Sequence, residues 1–327
     1  MVSLPQNNLM HRLIPFILLA FLACNRSNPQ APVTVVDTPR RDTTITVSNP
    51  PIVYPDSPPT IPDARLAELS GLAVSPTNSG IVYVHNDSGD SSRFFALSPG
   101  AQTRATIYFN GDPAVKPFGV TDCEDMTLAE GKDGQSYVFI GDIGDNDAVR
   151  KYIRIYRVKE PNLSKQDTVH PPTIYLTSEP LTLRYPDGSH DAETLMADPI
   201  DRLLYIVSKR EDSVAIYSTP LDFKAGDTVT LTKQARLFFP GSGIAKWVTG
   251  GSIAHDGSQI LLKTYSQVYY WKRNSATPVW KTMQSGAQSL PYTPEPQGEA
   301  IGFTVDGKGY YTVSEGKDAK LYHYSAP

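Results

Sequence analysis

The sequence predicts an all-β protein, and two observations carry that prediction. Beyond Pro62 there is no long segment with helical periodicity, whereas short runs rich in Val, Ile, Tyr and Thr recur, such as "SYVFIGD", "LLYIVSK" and "QVYYWK". Gly, Asp, Asn and Pro separate these runs, as they do in the turns between strands. We therefore expect the folded part of the 327-residue chain to be built from short strands.

A repeat refines the fold class to a β-propeller. Five segments can be set in register, with spacings of 54, 69, 58 and 48 residues, and each is followed by two further apolar strands in the same order. They are "ELSGLAVS" from Glu68, "DCEDMTLA" from Asp122, "DAETLMAD" from Asp191, "TGGSIAHD" from Thr249 and "QGEAIGFT" from Gln297. Sheets repeated at such a period favour radial packing of blades. An array of unrelated hairpins in a β-sandwich is the alternative.

Five blades are the first choice, and a sixth blade hidden in the long second repeat is the alternative. Only about 30 residues follow Glu299, which is room for three strands. We expect an N-terminal strand to complete the last blade, because an unpaired edge promotes aggregation. The candidates are "TTITVS" (43–48) and "PPIVYP" (50–55).

The first 24 residues are typical of an export signal that ends in a cysteine. An apolar run from Leu13 to Ala23 follows Arg12 and is too short to span a bilayer. "FLAC", ending at Cys24, resembles the lipobox of bacterial lipoproteins, whose cysteine is lipidated; an ordinary signal peptide is the alternative. The predicted organisation is a signal at 1–24, a Pro/Ser/Thr-rich linker at 25–62 and the propeller at 63–327.

The net charge and the predicted cellular location limit which binding partners we expect. Loss of the signal takes the formal net charge from −4 to −5, because the signal carries Arg12 and no acid. This mild acidity argues against nucleic acid as a partner. A lipid anchor predicts membrane association without a transmembrane helix, and the lack of Asp directly after Cys24 resembles outer-membrane lipoproteins, facing the periplasm or the cell surface.

The acidic residues are expected to converge at one mouth of the central channel. Residues two apart on a strand share a face, so Asp122 lies with Glu124 and Asp191 with Glu193. Second strands run back to the same mouth and end in loops that carry further acids. The metal-ligand candidates are Glu68, Asp87, Asp122, Glu124, Asp142, Asp191, Glu193 and Glu299. Asp90, Asp145 and Glu315 follow second strands in the same way.

So many carboxylates require a counter-charge. A hard cation with oxygen ligands, most plausibly Ca²⁺, is one solution, and nearby basic residues are another. The candidates for contact with an anion or a substrate are Lys209, Arg210, Lys263, His85 and His190. Turn capping and ion pairing alone remain the alternative reading of the acids, because Asp, Asn and Gly favour hairpin loops.

The segments "ELSGLAVS", "YVHNDSGD", "DCEDMTL", "GDIGDN", "IYRVKEP", "DAETL" and "GEAIGF" resemble a family of functionally uncharacterised bacterial secreted and lipoprotein β-propellers over roughly residues 64–325. More distantly, the acids resemble those of phytase-like and gluconolactonase (SMP-30-like) calcium propellers. That resemblance implies calcium on Glu124, Asp191, Glu193 and Glu299. It also implies an anion near Lys209, Arg210 and Lys263.

Two functions of different class follow. The first is a binding module on the cell envelope that recognises a small molecule, a glycan or an envelope protein through an acidic, calcium-binding mouth. The alternative is a metal-assisted hydrolase of a phosphoester or a lactone, in which Ca²⁺ polarises the substrate. Whether the protein is an enzyme stays open at this point.

Overall fold

The computed structural model describes residues 43–45, 47–48, 57–164 and 169–326. Nearly all of the regular structure is β. In chain order the strands are β1 (Thr43–Thr44), β2 (Val47–Ser48), β3 (Leu69–Val74), β4 (Val82–Asn86), β5 (Arg93–Leu97), β6 (Thr103–Phe109), β7 (Cys123–Glu130), β8 (Ser136–Asp142), β9 (Ile153–Lys159), β10 (Thr173–Leu176), β11 (Ser178–Arg184), β12 (Ala192–Asp198), β13 (Leu203–Ser208), β14 (Val214–Pro220), β15 (Thr228–Thr230), β16 (Thr232–Phe238), β17 (Val248–Ile253), β18 (Gln259–Thr264), β19 (Val268–Lys272), β20 (Ala287–Leu290), β21 (Gly298–Phe303), β22 (Gly309–Ser314) and β23 (Tyr322–Ser325). A 3-10 helix covers Gly243–Lys246, and one α-helical turn, α1, covers Val279–Thr282.

The strands form five sheets arranged as the blades of a propeller. From the inside outwards, blade one is β3-β4-β5-β6-β10, blade two is β7-β8-β9-β11-β15, blade three is β12-β13-β14-β16-β1, blade four is β17-β18-β19-β20-β2 and blade five is β21-β22-β23. The inner strands contact one another in a closed ring, in the order β3, β7, β12, β17, β21 and back to β3. The prediction of an all-β propeller with five blades is confirmed.

Each seam between neighbouring blades contains its own apolar cluster. Tyr83 and Met126, for example, pack in the cluster between blades one and two, and Leu72 and Val313 pack in the cluster that joins blade five to blade one. Because strand residues alternate between the two faces of a sheet, each blade supplies side chains to two seams. The ring is therefore held by five separate layers of core.

The N-terminal segment pairs with the outer edges of three consecutive blades. β1 pairs in parallel with β16 of blade three, and β2 pairs in parallel with β20 of blade four. Ile45 lies between them and is buried in the core of blades three and four. Residues 43–48 thus extend two sheets, and the expectation that "TTITVS" completes the last blade is wrong.

The last blade is completed by a shorter contact further along the chain. Thr60 bridges Lys320 in antiparallel fashion, just before β23. The amide of Ile61 donates to the carbonyl of Ala319 (2.8 Å), and the side chain of Ile61 is buried. An N-terminal closure was correctly expected, although the other candidate, 50–55, lies outside the described residues. The part of the predicted linker that the structure describes therefore contributes both strands and core to the propeller.

Candidate functional site at the acidic channel mouth

One β-bulge at the start of every inner strand defines the site. In each blade the register with the second strand shifts where the inner strand begins, for example between Cys123 and Asp125 in blade two. A bulge adds a residue to one strand and re-aims its side chain. The added residues are Ser70, Glu124, Glu193, Thr249 and Glu299, and all are buried. We call them the bulge ring.

The bulges correct the sequence alignment of the fourth repeat. Ser70, Glu124, Glu193 and Glu299 are the third residues of their aligned segments, as predicted. In blade four the equivalent residue is Thr249, so this repeat begins at Trp247 rather than at Thr249. The two glycines after Thr249 carry no side-chain signal that could have fixed the register.

Three carboxylates converge at the seam between blades one and two. One oxygen each from Asp87, Asp122 and Glu124 lies within 4.8 Å of the others. Asp87 directly follows β4, Asp122 directly precedes β7, and Glu124 is the second residue of β7. Burial and the charge of Asp87 raise the pKa of Asp122 to about 7. Burial and the charge of Glu193 raise the pKa of Glu124 well above its usual range. The group, which we call the acidic triad, has the size of a divalent cation site.

The loop "GDIGDND" shapes the approach to the acidic triad. A Cβ atom at Gly144 would overlap with the carboxylates of Asp122 and Glu124, so a larger residue there would displace them. Asp142 accepts the amides of Asp122 (3.0 Å) and Thr121 (3.1 Å) and pairs with Arg150 (2.7 Å). Asp142 thus holds the loop in place. Both of its carboxylate oxygens are bound to groups of the protein.

The loop's second acid has the same role. Asp145 accepts the amides of Val149 (2.9 Å) and Arg150 (2.7 Å), which ties the turn to itself. The amide of Asp145 in turn donates to Asp191 (2.9 Å) in the next blade. The contacts of Asp142 and Asp145 are therefore those of turn-capping residues, and they do not account for the acidic triad.

The basic candidates of blade three are held in ion pairs. Lys209 pairs with Glu193 of the bulge ring, and both side chains are buried. Although burial opposes it, the charges of Glu193 and Glu299 raise the pKa of Lys209. Arg210 pairs with Asp191 and lies 4.6 Å from the centre of the Trp247 ring. An incoming anion would have to displace these carboxylates.

Blade five contributes a carboxylate that is incompletely satisfied. Glu299 accepts a hydrogen bond from the hydroxyl of Tyr265 through Oε1. Its Oε2 is buried and has no hydrogen-bond partner among the described residues. Tyr265 was missed by the sequence analysis, although it lies two residues after the candidate Lys263 and just beyond the end of β18.

Lys263 lies between blades four and five and is fully buried. Its Nζ donates to Thr249 Oγ1 (3.2 Å) and to the carbonyl of Gly298. Burial lowers the pKa of Lys263 to about 8 and raises that of the neighbouring Glu295 to about 7. Glu295 was also missed, because it lies in the loop "TPEPQG" outside the repeat and carries no periodic signal.

Glu68 and Glu315 are two further acids that the sequence placed near the mouth. Glu68 is exposed, and its carbonyl accepts the amide of Asp87 (2.7 Å). Glu315, in the loop after β22, has its pKa raised to about 7 by burial and then by the charges of Glu299, Asp87 and Glu68. It therefore belongs with the mouth acids.

The two histidines have structural surroundings. His85 is buried against Gly71, where any larger residue would collide with its ring, and burial lowers its pKa. His190 binds Glu211 (2.6 Å) and Asp187 (3.2 Å), and the hydrogen bond that its ring donates to Glu211 raises its pKa. Neither ring is part of the acidic triad. Cys24, the lipidation candidate, lies outside the described residues.

Asp125 links the inner strands of several blades and was not singled out from the sequence. Its carboxylate accepts the amides of Met126 (2.8 Å) and of Leu195 (2.9 Å) in blade three. Burial raises its pKa well above the usual range. A fully buried acid that binds the backbone of a neighbouring blade stabilises the ring.

Comparisons with known proteins add a fold likeness. No family model and no curated protein matches the sequence. Among solved structures, a chain of the nidogen/laminin complex aligns with 13% identity over 76% of this chain and 73% of that chain, with a TM-score of 0.38. Our assignment of the propeller rests on the strand pairing itself. None of the described helices is long and apolar enough to cross a membrane.

Proposed function

We propose that the protein is a binding propeller whose acidic mouth holds a divalent cation, most plausibly Ca²⁺, and recognises its ligand there. The acidic triad is the observation that supports this proposal most strongly. Two oxygens on one Ca²⁺ ion at 2.3–2.6 Å can be at most about 5 Å apart, and the three oxygens of the triad lie within 4.8 Å of one another.

The electrostatics support a cation at this end of the channel. Raised pKa values at Asp122 and Glu124 mean that their charges repel one another and are poorly solvated. A bound cation would remove that repulsion. Glu299 adds a buried oxygen without a partner among the described residues.

The hydrolase alternative receives less support from the site. Its phosphate or lactone would be bound by Lys209, Arg210 and Lys263. Lys209 and Arg210 are paired with carboxylates, and Lys263 is bound to Thr249 and Gly298. Breaking a buried pair leaves an uncompensated charge, which is costly.

Calorimetric titration of Ca²⁺ into the EDTA-treated chain (residues 25–327) tests the proposal. We expect saturable binding that Asp122→Asn weakens at least tenfold, because one charged ligand is lost. Asp133→Asn is the matched control, since Asp133 is an exposed turn residue in the β7–β8 loop. Equal binding by both variants, or none by the wild type, would refute the cation site.

We also propose that Cys24 is lipidated and tethers the propeller to the bacterial outer membrane. The lipobox-like "FLAC" and the Pro-rich segment after it support this address. Labelling of cells with a radioactive fatty acid should mark the wild type and not a Cys24→Ser variant. Labelling of both proteins would refute attachment at this cysteine.

A further inference from the structure

A cavity of about 520 Å³ lies at the end of the channel opposite to the acidic triad. All five blades line it where their inner strands end, through Thr77, Leu128, Ala197, Ile253 and Val305. Ligand pockets usually have volumes of about 300–1,000 Å³ and mostly apolar walls. The cavity therefore has the size and character of a small-molecule site.

The cavity is separated from the acidic mouth. The adjoining space measures only about 20 Å³ and is lined by residues within the inner strands, among them Leu72, Met126 and Ser252. A space of that size holds about one water molecule. A ligand in the cavity would therefore not contact the bulge ring.

The basic groups of the cavity are not available to an anion. Arg202 pairs with Asp222 and donates to the carbonyl of Glu130 (2.8 Å). Burial lowers the pKa of His255, which favours its neutral ring. The wall thus offers no uncompensated positive charge among the described residues.

Hydrogen-bond acceptors lie at one edge of the cavity. A second space of about 360 Å³ adjoins it and shares Thr77 and Ser136 as lining residues. Glu160 lines this space and is 8% exposed. Its Oε1 accepts bonds from Ser75, Asn78 (3.0 Å) and Tyr83 (3.2 Å).

The other carboxylate oxygen of Glu160 lacks a hydrogen-bond partner among the described residues, which points to a ligand. Glu160 Oε2 and Ser136 Oγ are buried and have no hydrogen-bond partner among the described residues. Buried polar atoms are normally paired, and an unpaired one calls for an explanation. A ligand that donates a hydrogen bond would satisfy Glu160.

We infer that this cavity is a second binding site, for a small molecule with an apolar body, a hydroxyl or amine donor and no negative charge. The apolar body fills the space between the five inner hairpins. The donor reaches Glu160 in the adjoining space, which Lys159 also lines, whereas the wall of the larger cavity offers an anion no unpaired cation among the described residues. We call it the apolar-end site.

Two fluorescent probes with one skeleton test this inference. N-phenyl-1-naphthylamine is neutral and has an N–H donor, and 8-anilino-1-naphthalenesulfonate is the same skeleton with a negative charge. We expect the neutral probe to bind residues 25–327 saturably and at least about tenfold more tightly than the anion. Equal or tighter binding of the anion, or no saturable binding of the neutral probe, would overturn the inference.

Variants locate the bound probe. Val305→Trp fills the cavity from a position that is 44% exposed, so we expect the fold to persist and affinity for the neutral probe to fall at least about tenfold. Ile244→Trp adds the same ring at an exposed position away from the cavity and should leave affinity unchanged. Equal effects of the two substitutions would show that the probe binds elsewhere.

A third variant tests the donor contact. Glu160→Gln replaces an acceptor by an amide of nearly the same shape, and we expect affinity for the neutral probe to fall roughly threefold to tenfold. Thermal unfolding of each variant confirms that it is folded. Unchanged affinity in a folded Glu160→Gln protein would contradict the role of this carboxylate.

Discussion

The two ends of the central channel are built by the same five strands and have opposite chemistry. Where the inner strands begin, a bulge in each blade aims a side chain at the axis, and three of the five are glutamates. Where these strands end, the pairing is regular and small or apolar residues such as Ala197 and Ile253 face the cavity. One extra residue per blade therefore separates a charged site from an apolar one.

The two ends of the channel also differ in how their charged side chains are compensated. At the acidic mouth, buried charges are compensated by ion pairs such as Glu193 with Lys209. At the other end, the pair in the cavity wall, Arg202 with Asp222, is more exposed, whereas Arg273 with Asp198, where β12 ends, is fully buried. Loss of one partner from the Glu193–Lys209 pair should thus destabilise the protein more than loss of one partner from the Arg202–Asp222 pair.

The largest effect is expected from loss of the N-terminal segment, on which both ends depend. A chain that begins at residue 63 lacks Ile45 and Ile61, which are 2% and 3% exposed, and also the bridge from Thr60 to Lys320. Burial of two isoleucines contributes about 3–6 kcal/mol. Thermal unfolding against residues 25–327 should show a markedly lower Tm and loss of both cation and probe binding. Loss at only one end would mean that the ends do not share one ring.

Breaking the Glu193–Lys209 pair should be the next most costly change. Glu193→Gln leaves Lys209 charged and buried, for which we expect a loss of about 3–5 kcal/mol in urea unfolding. Asp222→Asn, which breaks the more exposed pair near the apolar-end site, should cost about 1 kcal/mol or less. Adding Lys209→Met to Glu193→Gln should recover much of the loss. Similar costs for the two single variants would contradict the difference in burial between the two pairs.

The sequence predicted the acidic mouth more fully than the apolar one, for a physical reason. Charged residues repeated at the same place in each segment are visible in one dimension, so Glu124, Glu193 and Glu299 could be placed together. The cavity at the other end is lined by ordinary residues, such as Ala197 and Val305, whose meaning depends on the closure of the ring.

The register of the fourth repeat and the pairing of the N-terminal strands could not be predicted from the sequence. Glycines after Thr249 hid the register, and the correct alignment needed the observed bulge. Strands of two residues, such as Thr43–Thr44, have too little pattern to select one sheet edge among five. The turn role of Asp142 depended on amides from another strand end, which no local pattern records.

A smaller effect is expected on the pH dependence of stability, and it arises from Asp122 at the acidic mouth. The pKa of Asp122 is raised from 3.8 to about 7 in the folded state, so the folded protein holds this proton more tightly than the unfolded chain. Stability from this group is therefore lost as pH rises from about 4 to 7. Relative to the wild type, cation-free Asp122→Asn should gain stability in urea unfolding between pH 5 and pH 7.5. A pH-independent difference would contradict the raised pKa.

Crystals soaked in a lanthanide, an anomalously scattering substitute for Ca²⁺, give the most direct test of the contrast between the two ends. The account predicts one strong anomalous peak among the oxygens of Asp87, Asp122 and Glu124, and none in the cavity lined by Leu128 and Val305. A peak at the apolar-end site, or no peak at the acidic triad, would contradict it.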